Sequence, residues 1–416
     1  MKELTTDSTS EWIFSALKWA DQNYSFISYH QNNGRTYPYG GFKHLLAIGK
    51  EKQVIDSSIP FESLGSYQNQ WLFGYLGYDL KNSIENLKST NEDYLAFDEI
   101  VFFSPEYLFE IHDNKIVLLK GNEAVWSSIE KFEASPLKPK FGSQQAHFSR
   151  SEYIHSVNQL IAHIIEGDCY EINLCQGFHG QLKVVSPVDA YFRLNTLSPK
   201  PFSCFQKFEH HYILCASPER FLKKESNQLI SQPIKGTRPR GKDHAEDIRM
   251  IEDLRTDQKE KAENLMIVDL VRNDLAKSSK SGSVKVEELF GIYSFEQVHQ
   301  MISTVTSKLS SDISGIEALK NAFPMGSMTG APKIKVMELI EAYEKSKRGA
   351  FSGASGYIEP NGNYDFNVLI RSLFLNTKKQ MYGFHVGSAI TYDALAEKEY
   401  DECLLKAKAI IQLLSE

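Results

Sequence analysis

The chain has 416 residues, 42% of them hydrophobic and 24% charged, with a formal net charge of -7. That length allows two or three ordinary domains or one large interlocked unit, and the acidic balance argues against nucleic acid as a general partner, since no basic field would attract it. The five cysteines are scattered, without a CxxC pair, and read as free thiols of a reducing compartment. The first residues, MKELTTDSTSEW, are polar, and no run approaches the ~18 apolar residues of a membrane span, so a cytoplasmic protein without a signal peptide or membrane contact is expected.

Residues 1 to about 140 form an aromatic-rich, strand-leaning region with WLFGYLGYDL (Trp71–Leu80), EIVFFSPEYLFEI (Glu99–Ile111) and KIVLL (Lys115–Leu119). Asp113-Asn114 predicts a hairpin turn between the last two. Nothing here gathers into a catalytic constellation, and the Pro- and Gly-containing stretch Leu137–Gln144 reads as a linker. From Ser151 a helical period puts Tyr153, Val157, Leu160, Ile161, Ile164 and Ile165 on one face, ending at Gly167. CYEINLCQGF then alternates like a strand, with Glu171 and Asn173 on one face, where Glu171 by itself reads as solvent-facing. Residues 202–222 predict a hairpin and a tight turn at Ser217-Pro218. Glu219, at the strand end beyond it, is either functional or a surface partner of Arg220. A second hairpin would bring Lys235 alongside it.

Lys235 lies in SQPIKGTRPRG (Ser231–Gly241). Gly236 permits close backbone approach to a ligand, and Pro239 stiffens the run. Arg238 and Arg240 have the fork geometry for carboxylate or phosphate, and their charges are expected to favour the neutral amine of Lys235, a nucleophile. A basic surface loop is the other reading. Residues 245–277 predict one long helix on which Glu260 and Glu263 share a face, and a later helix aligns Glu399, Glu402 and Lys406. Two such acidic pairs suit a hard divalent cation such as Mg2+, although solvated helices carry similar pairs. Between them, FPMGSMTGAPK runs a Gly- and Ser-containing loop into a helix with Pro332 near its start, a place for an anion. GASGYIEPNGNYDFNVLIRSLFL predicts a hairpin turning at Asn361-Gly362, with Arg371 late in the returning strand.

SPERFL, PIKGTRPRG, KAENLMIVDLVRNDL, GSMTGAPK, the IRS around Arg371 and EYDECLLKAKA occur together, in this order, over residues 145–416. The series resembles the chorismate-binding enzymes, which include anthranilate, aminodeoxychorismate, isochorismate and salicylate synthases. Lysine in PI-x-GT and the AEN at 262–264 are most similar to the aminodeoxychorismate synthase branch, since anthranilate synthases carry alanine in the first motif. The isochorismate and salicylate branches carry a water-activating lysine where this chain has Glu171.

The resemblance implies a mixed α/β (α+β) fold, a large two-subdomain sandwich of packed β-sheets flanked by helices. Residues 145–416 would be the chorismate-binding catalytic domain, and 1–140 would complete the body. It implies Lys235 as nucleophile, Glu219 as acid, and His299 and Ser327 near the reacting hydroxyl and ring. Gly236, Thr237 and Gly387 would line the substrate, whose carboxylates would meet Arg371 and Lys406. Mg2+ would sit on Glu263 and Glu402, with Glu260 and Glu399 reaching it through water. Ammonia would come from a separate glutamine amidotransferase subunit, giving 4-amino-4-deoxychorismate for para-aminobenzoate and folate synthesis. An anthranilate synthase component, or a subunit that holds chorismate without turnover, are the alternatives. Glu171, Phe351 and Ala389 depart from the glutamine, tyrosine and glycine that the resemblance leads one to expect.

Overall fold

The strand Glu171–Val184 shows how the sequence builds the molecule, seen here as a computed structural model that describes residues 3–6, 8–296 and 298–416. Its even-numbered side chains Ile172, Leu174 and Phe178 pack with helices on one side, while Cys175 belongs to the apolar layer on the other. Because both faces are covered, even its polar residues Glu171 and Asn173 are buried. Glu171 therefore does not face solvent, as its strand alone suggested. This strand pairs with Met381–Ile390 along ten residues and, at its start, with Gly330–Ala331.

Among the described residues there are two sheets, of thirteen and nine strands, and every strand pair is antiparallel. Residues such as Phe26, Phe208 and Phe374 of the larger sheet and Phe73, Leu222 and Ile302 of the smaller form the core between them. A second core joins the outer face of the larger sheet to helices through Leu17, Leu160, Leu194, Ile340 and Ile410. The expected sandwich of sheets flanked by helices is the observed fold.

The first 120 residues enter both sheets. Phe26–Gln31 pairs with Phe202–Phe208 in the larger one, and Leu72–Leu76 pairs with Ala354–Ile358 in the smaller one. The run read as EIVFFSPEYLFEI splits at Ser104-Pro105, with Ile100–Phe103 in one sheet and Tyr107–His112 in the other. The hairpin at Asp113-Asn114 forms as predicted. Within 137–144, Lys140–Phe141 pairs with the strand Glu171–Val184.

Three expectations need correction. The long helix over 245–277 is two helices, His244–Thr256 and Gln258–Ala276, because extended Asp257 caps the second by accepting from the Glu260 N–H. Ile165 lies on the exposed side of the helix Arg150–Glu166. Trp71–Leu80 is strand only over Leu72–Leu76, followed by a 3-10 turn at Tyr78–Leu80.

One buried ion pair fastens the loop 326–331 to this frame. Arg348 donates to both Glu344 oxygens at 2.9 and 2.6 Å, to the Met328 carbonyl at 2.7 Å and to the Asn173 carbonyl at 2.8 Å. Glu344 in turn accepts from the Cys175 N–H at 2.9 Å. Removing one partner of such a pair strands a charge in a dry interior. Arg348→Met is therefore expected to lose about 3–5 kcal/mol of stability, read from urea unfolding midpoints; a loss below about 1 kcal/mol would mean that water reaches the carboxylate of Glu344.

Candidate active site

Two chain crossings between the sheets create the site. The strand His211–Ser217 lies in the larger sheet and Arg220–Glu225 in the smaller, so Pro218-Glu219 bridges them. Residues 369–371 make the return crossing between Tyr364–Val368 and Ser372–Asn376. Arg371 is thus beyond the strand in which it was expected, with a left-handed φ of 55°. The crossings are stitched together: the Val368 N–H donates to the Glu219 carbonyl at 3.0 Å, and the Ala216 N–H to the Arg371 carbonyl at 3.2 Å. Arg220 does not pair with Glu219. Fully buried, it grips both Asp365 oxygens at 2.8 and 2.9 Å and the Gln232 side chain, so it does not occupy the carboxyl of Glu219.

Lys235 reaches the same cleft from the strand Ile234–Pro239, whose pairing shifts between Ile234 and Thr237, around Gly236. Gly236 has φ of 96°, which favours glycine, and a Cβ there would lie 3.3 Å from both Glu260 and Met301. Asn264 holds the strand by donating to the Lys235 carbonyl at 3.3 Å. The Lys235 Nζ donates to the Glu171 Oε1 at 2.7 Å, and the second Glu171 oxygen is buried without a hydrogen bond.

The arginines do not act on Lys235 as the sequence suggested. Arg238 is neutralised by Asp257 and by Glu260 at 2.9 Å, and Arg240 by Asp247 at 2.7 Å. Burial does lower the pKa of Lys235, but Glu171 first, then Glu263 and Glu402, more than reverse it and hold the amine charged. Burial pushes Glu219 up to about 7, opposed by the Ser327 hydroxyl, Lys235, the Ile234 N–H and Lys406. The Ser327 Oγ itself makes no well-formed hydrogen bond and is buried beside that carboxyl. Glu263 is likewise raised to about 7, by burial against the pull of Lys235.

The acidic pairs face each other from the helices Gln258–Ala276 and Ala396–Ser415. Each carboxylate has a cation of the chain: Glu260 has Arg238, Glu402 has Lys406 at 2.6 Å, and Glu263 and Glu399 share Lys259 at 3.6 Å each. Glu399 also accepts from the Ser388 hydroxyl. Burial disfavours ionised Glu402, yet Lys406 keeps its pKa below the ordinary value. Hard oxygen donors on facing helices, with Glu263 held only by the longer Lys259 contact, fit a magnesium ion. Among the described residues only His163, Glu166 and Asp168 form a three-ligand group within 4.8 Å, so the four glutamates stand apart with Lys259 between two of them.

Lys406 also donates to the Gly387 carbonyl at 2.9 Å, and Arg371 donates to the Lys406 carbonyl at 2.7 Å. Gly387 has no room for a side chain, since a Cβ would lie 2.2 Å from Asn173. Burial lowers Arg371 to about 10, with Glu402 opposing, and it forms no ion pair among the described residues. His299 is not gathered with these groups. Its ring nitrogens are committed to Asp247 at 2.9 Å and Ser294 at 2.8 Å. Its neighbour Gln300 points to the opposite face, paired in register with exposed Thr237, and carries a buried amide oxygen without a hydrogen bond. Sequence reasoning missed Gln300 and Lys259; the i, i+4 spacing of Lys259 and Glu263 was the signal for the latter.

A family described as chorismate binding enzyme matches residues 6–412. The chain belongs to the chorismate binding enzyme family. It is 34% identical over 347 residues to aminodeoxychorismate synthase component 1 of Escherichia coli, covering 82% of this chain and 76% of that one. It is also 33% identical over 354 residues to anthranilate synthase component 1 of Thermus thermophilus, again 82% of this chain and 76% of that one. The crystal structure of anthranilate synthase component I from Streptococcus pneumoniae superposes with a TM-score of 0.75 at 25% identity, covering 98% of this chain and 91% of that one. Overall similarity to chorismate-binding enzymes therefore spans both branches.

The contact between Glu171 and Lys235 can be tested directly. Glu171→Gln removes the nearest charge that holds the lysine protonated, and each unit of pKa lost gives tenfold more free amine. Acetylation of Lys235 at mildly alkaline pH, mapped by mass spectrometry, is expected to rise about tenfold or more in the variant. An unchanged rate would mean that the pair contributes nothing to its charge.

Proposed function

We propose that this chain is the ammonia-using component of an aminodeoxychorismate synthase, converting chorismate and ammonia to 4-amino-4-deoxychorismate. The observation that carries the reading is a lysine largely shielded from water, Lys235, near the buried Glu219, whose pKa is raised to about 7, where an amine and an acid are both needed. In the resemblance drawn from the sequence, lysine rather than alanine at this position marks that branch.

Arg371 and Lys406 take the two substrate carboxylates. Glu263 and Glu402 would hold Mg2+, with Glu260 and Glu399 nearby, and the ion would supply Lewis acidity toward the ring carboxylate. Glu219, neutral below pH 7, gives its proton to the departing hydroxyl, which leaves as water. Lys235 passes a proton to Glu171 at 2.7 Å and forms a carbon–nitrogen bond to the ring as the carbon–oxygen bond breaks. Ammonia then forms the product carbon–nitrogen bond while the bond to Lys235 breaks. Ammonia comes from a separate glutamine amidotransferase subunit, so the chain alone is expected to use ammonium salts but not glutamine; glutamine turnover without that subunit would overturn this part.

The second reading is anthranilate synthase, favoured by the similarity to the Thermus and Streptococcus proteins. Purified protein with chorismate, Mg2+ and ammonium separates the two, because only the second reading gives a fluorescent aromatic amine with loss of pyruvate. For the first, chorismate without ammonia is expected to add mass to the peptide holding Lys235, and the adduct should vanish in Lys235→Ala. No adduct, together with wild-type rates in that variant, would leave the lysine an electrostatic role only. The pH dependence follows from Glu219. Its raised pKa keeps the acid protonated up to about pH 7, so kcat/KM for the free enzyme is expected to fall about tenfold per pH unit above that. A flat profile from pH 7 to 9 would exclude Glu219 as the acid.

A further inference from the structure

Lys259 is not needed for any step above, yet its position is specific. It lies in the first turn of the helix Gln258–Ala276, one turn before Glu263, and its Nζ is 3.6 Å from Glu263 Oε1 and 3.6 Å from Glu399 Oε1. The other cations at these carboxylates act differently. Lys406 pairs with Glu402 on its own helix, and Arg238 joins a strand to Glu260. Of the three, only Lys259 bridges the two acidic helices.

Both of its contacts are longer than a close ion pair. Carboxylate oxygens bound to magnesium stand ~2.0–2.1 Å from the ion, so an ion between these helices would draw the glutamates closer than the ammonium does. An ammonium and a metal compete there, because both are positive and both would draw on the Glu263 carboxylate, with Glu399 beside it. Lys259 has a way out: its side chain is 45% exposed, whereas those of Glu263 and Glu399 are 12% and 5% exposed. A long aliphatic stem lets the charge swing into solvent while the carboxylates stay in place.

We infer that Lys259 is a tethered cation that fills the gap between the two carboxylate-bearing helices and is displaced when a divalent ion enters, so that it sets metal affinity by competition. The inference rests on the reading that Glu263 and Glu402 hold the ion. It has two consequences. The metal-free protein is spared the repulsion of facing carboxylates, and the resident ion is held less tightly than the carboxylates alone would hold it. Metal retention then depends more strongly on the substrate carboxylate that completes the shell.

The test is Mn2+ binding without substrate, followed by the electron paramagnetic resonance signal of the free ion, in wild type, Lys259→Met, Glu263→Gln and Glu402→Gln. Methionine keeps the apolar stem and removes only the charge. Lys259→Met is expected to bind Mn2+ about tenfold more tightly, the scale of one half-exposed ion-pair contact, and its metal-free form to melt at a lower temperature. In wild type, saturating Mg2+ is expected to raise the acetylation rate of Lys259, mapped by mass spectrometry, as its amine moves to solvent. Equal or weaker Mn2+ binding by Lys259→Met, with binding still abolished by Glu263→Gln, would overturn the inference and keep the metal reading. Mn2+ binding that survives both glutamate substitutions would overturn the metal reading, and the inference with it.

Discussion

Lys235 and Glu171 come from different sheets and meet at 2.7 Å where both are largely shielded from water. In that setting neither charge is tolerable alone, so the pair fixes the separation of the two strands and the electrical state of the cleft. The lysine is held charged by Glu171 and by the field of Glu263 and Glu402. Its protonation is therefore tied to the charge that the acidic helices carry. The neighbouring Glu219 has the opposite bias, since burial there outweighs the cations and favours the neutral acid. Two titratable groups are thus pushed apart side by side, and the proposed roles of acid and amine rest on that contrast.

The architecture explains why such groups can be buried at all. Glu219 and Arg371 lie on crossings, where the chain leaves one sheet for the other and backbone groups must find partners outside a ladder. The crossings satisfy each other through the bonds between Val368 and Glu219 and between Ala216 and Arg371. Arg220 and Asp365, next to these crossings, form a buried pair that anchors the strand on which the acid depends. Arg348 and Glu344 do the same for the loop that carries Ser327. Glu219 and Ser327 thus each stand near a buried charge pair that anchors the backbone carrying them.

Reading motifs in order was enough to collect Lys235, Glu219, the acidic pairs, Arg371 and Lys406, because each sits in a short run with its own chemical logic. The turns were equally legible: Asp113-Asn114 and Asn361-Gly362 both form their hairpins. Asp257 was legible but unread, since an aspartate three residues before Glu260 is a capping signal that divides one apparent helix into two.

What the sequence by itself determined is the set of local elements, the family they compose and the residue types available for chemistry. Partnership was decided only by the tertiary structure. Arg238 and Arg240 lie three and five residues from Lys235, yet their charges are spent on Asp257, Glu260 and Asp247, while the lysine answers to Glu171, 64 positions away. Glu171 looked solvent-facing because nothing in one strand reveals the second sheet that covers it. The physical reason is that charge interactions depend on distance and burial, and both are set by how the sheets pack rather than by position along the chain.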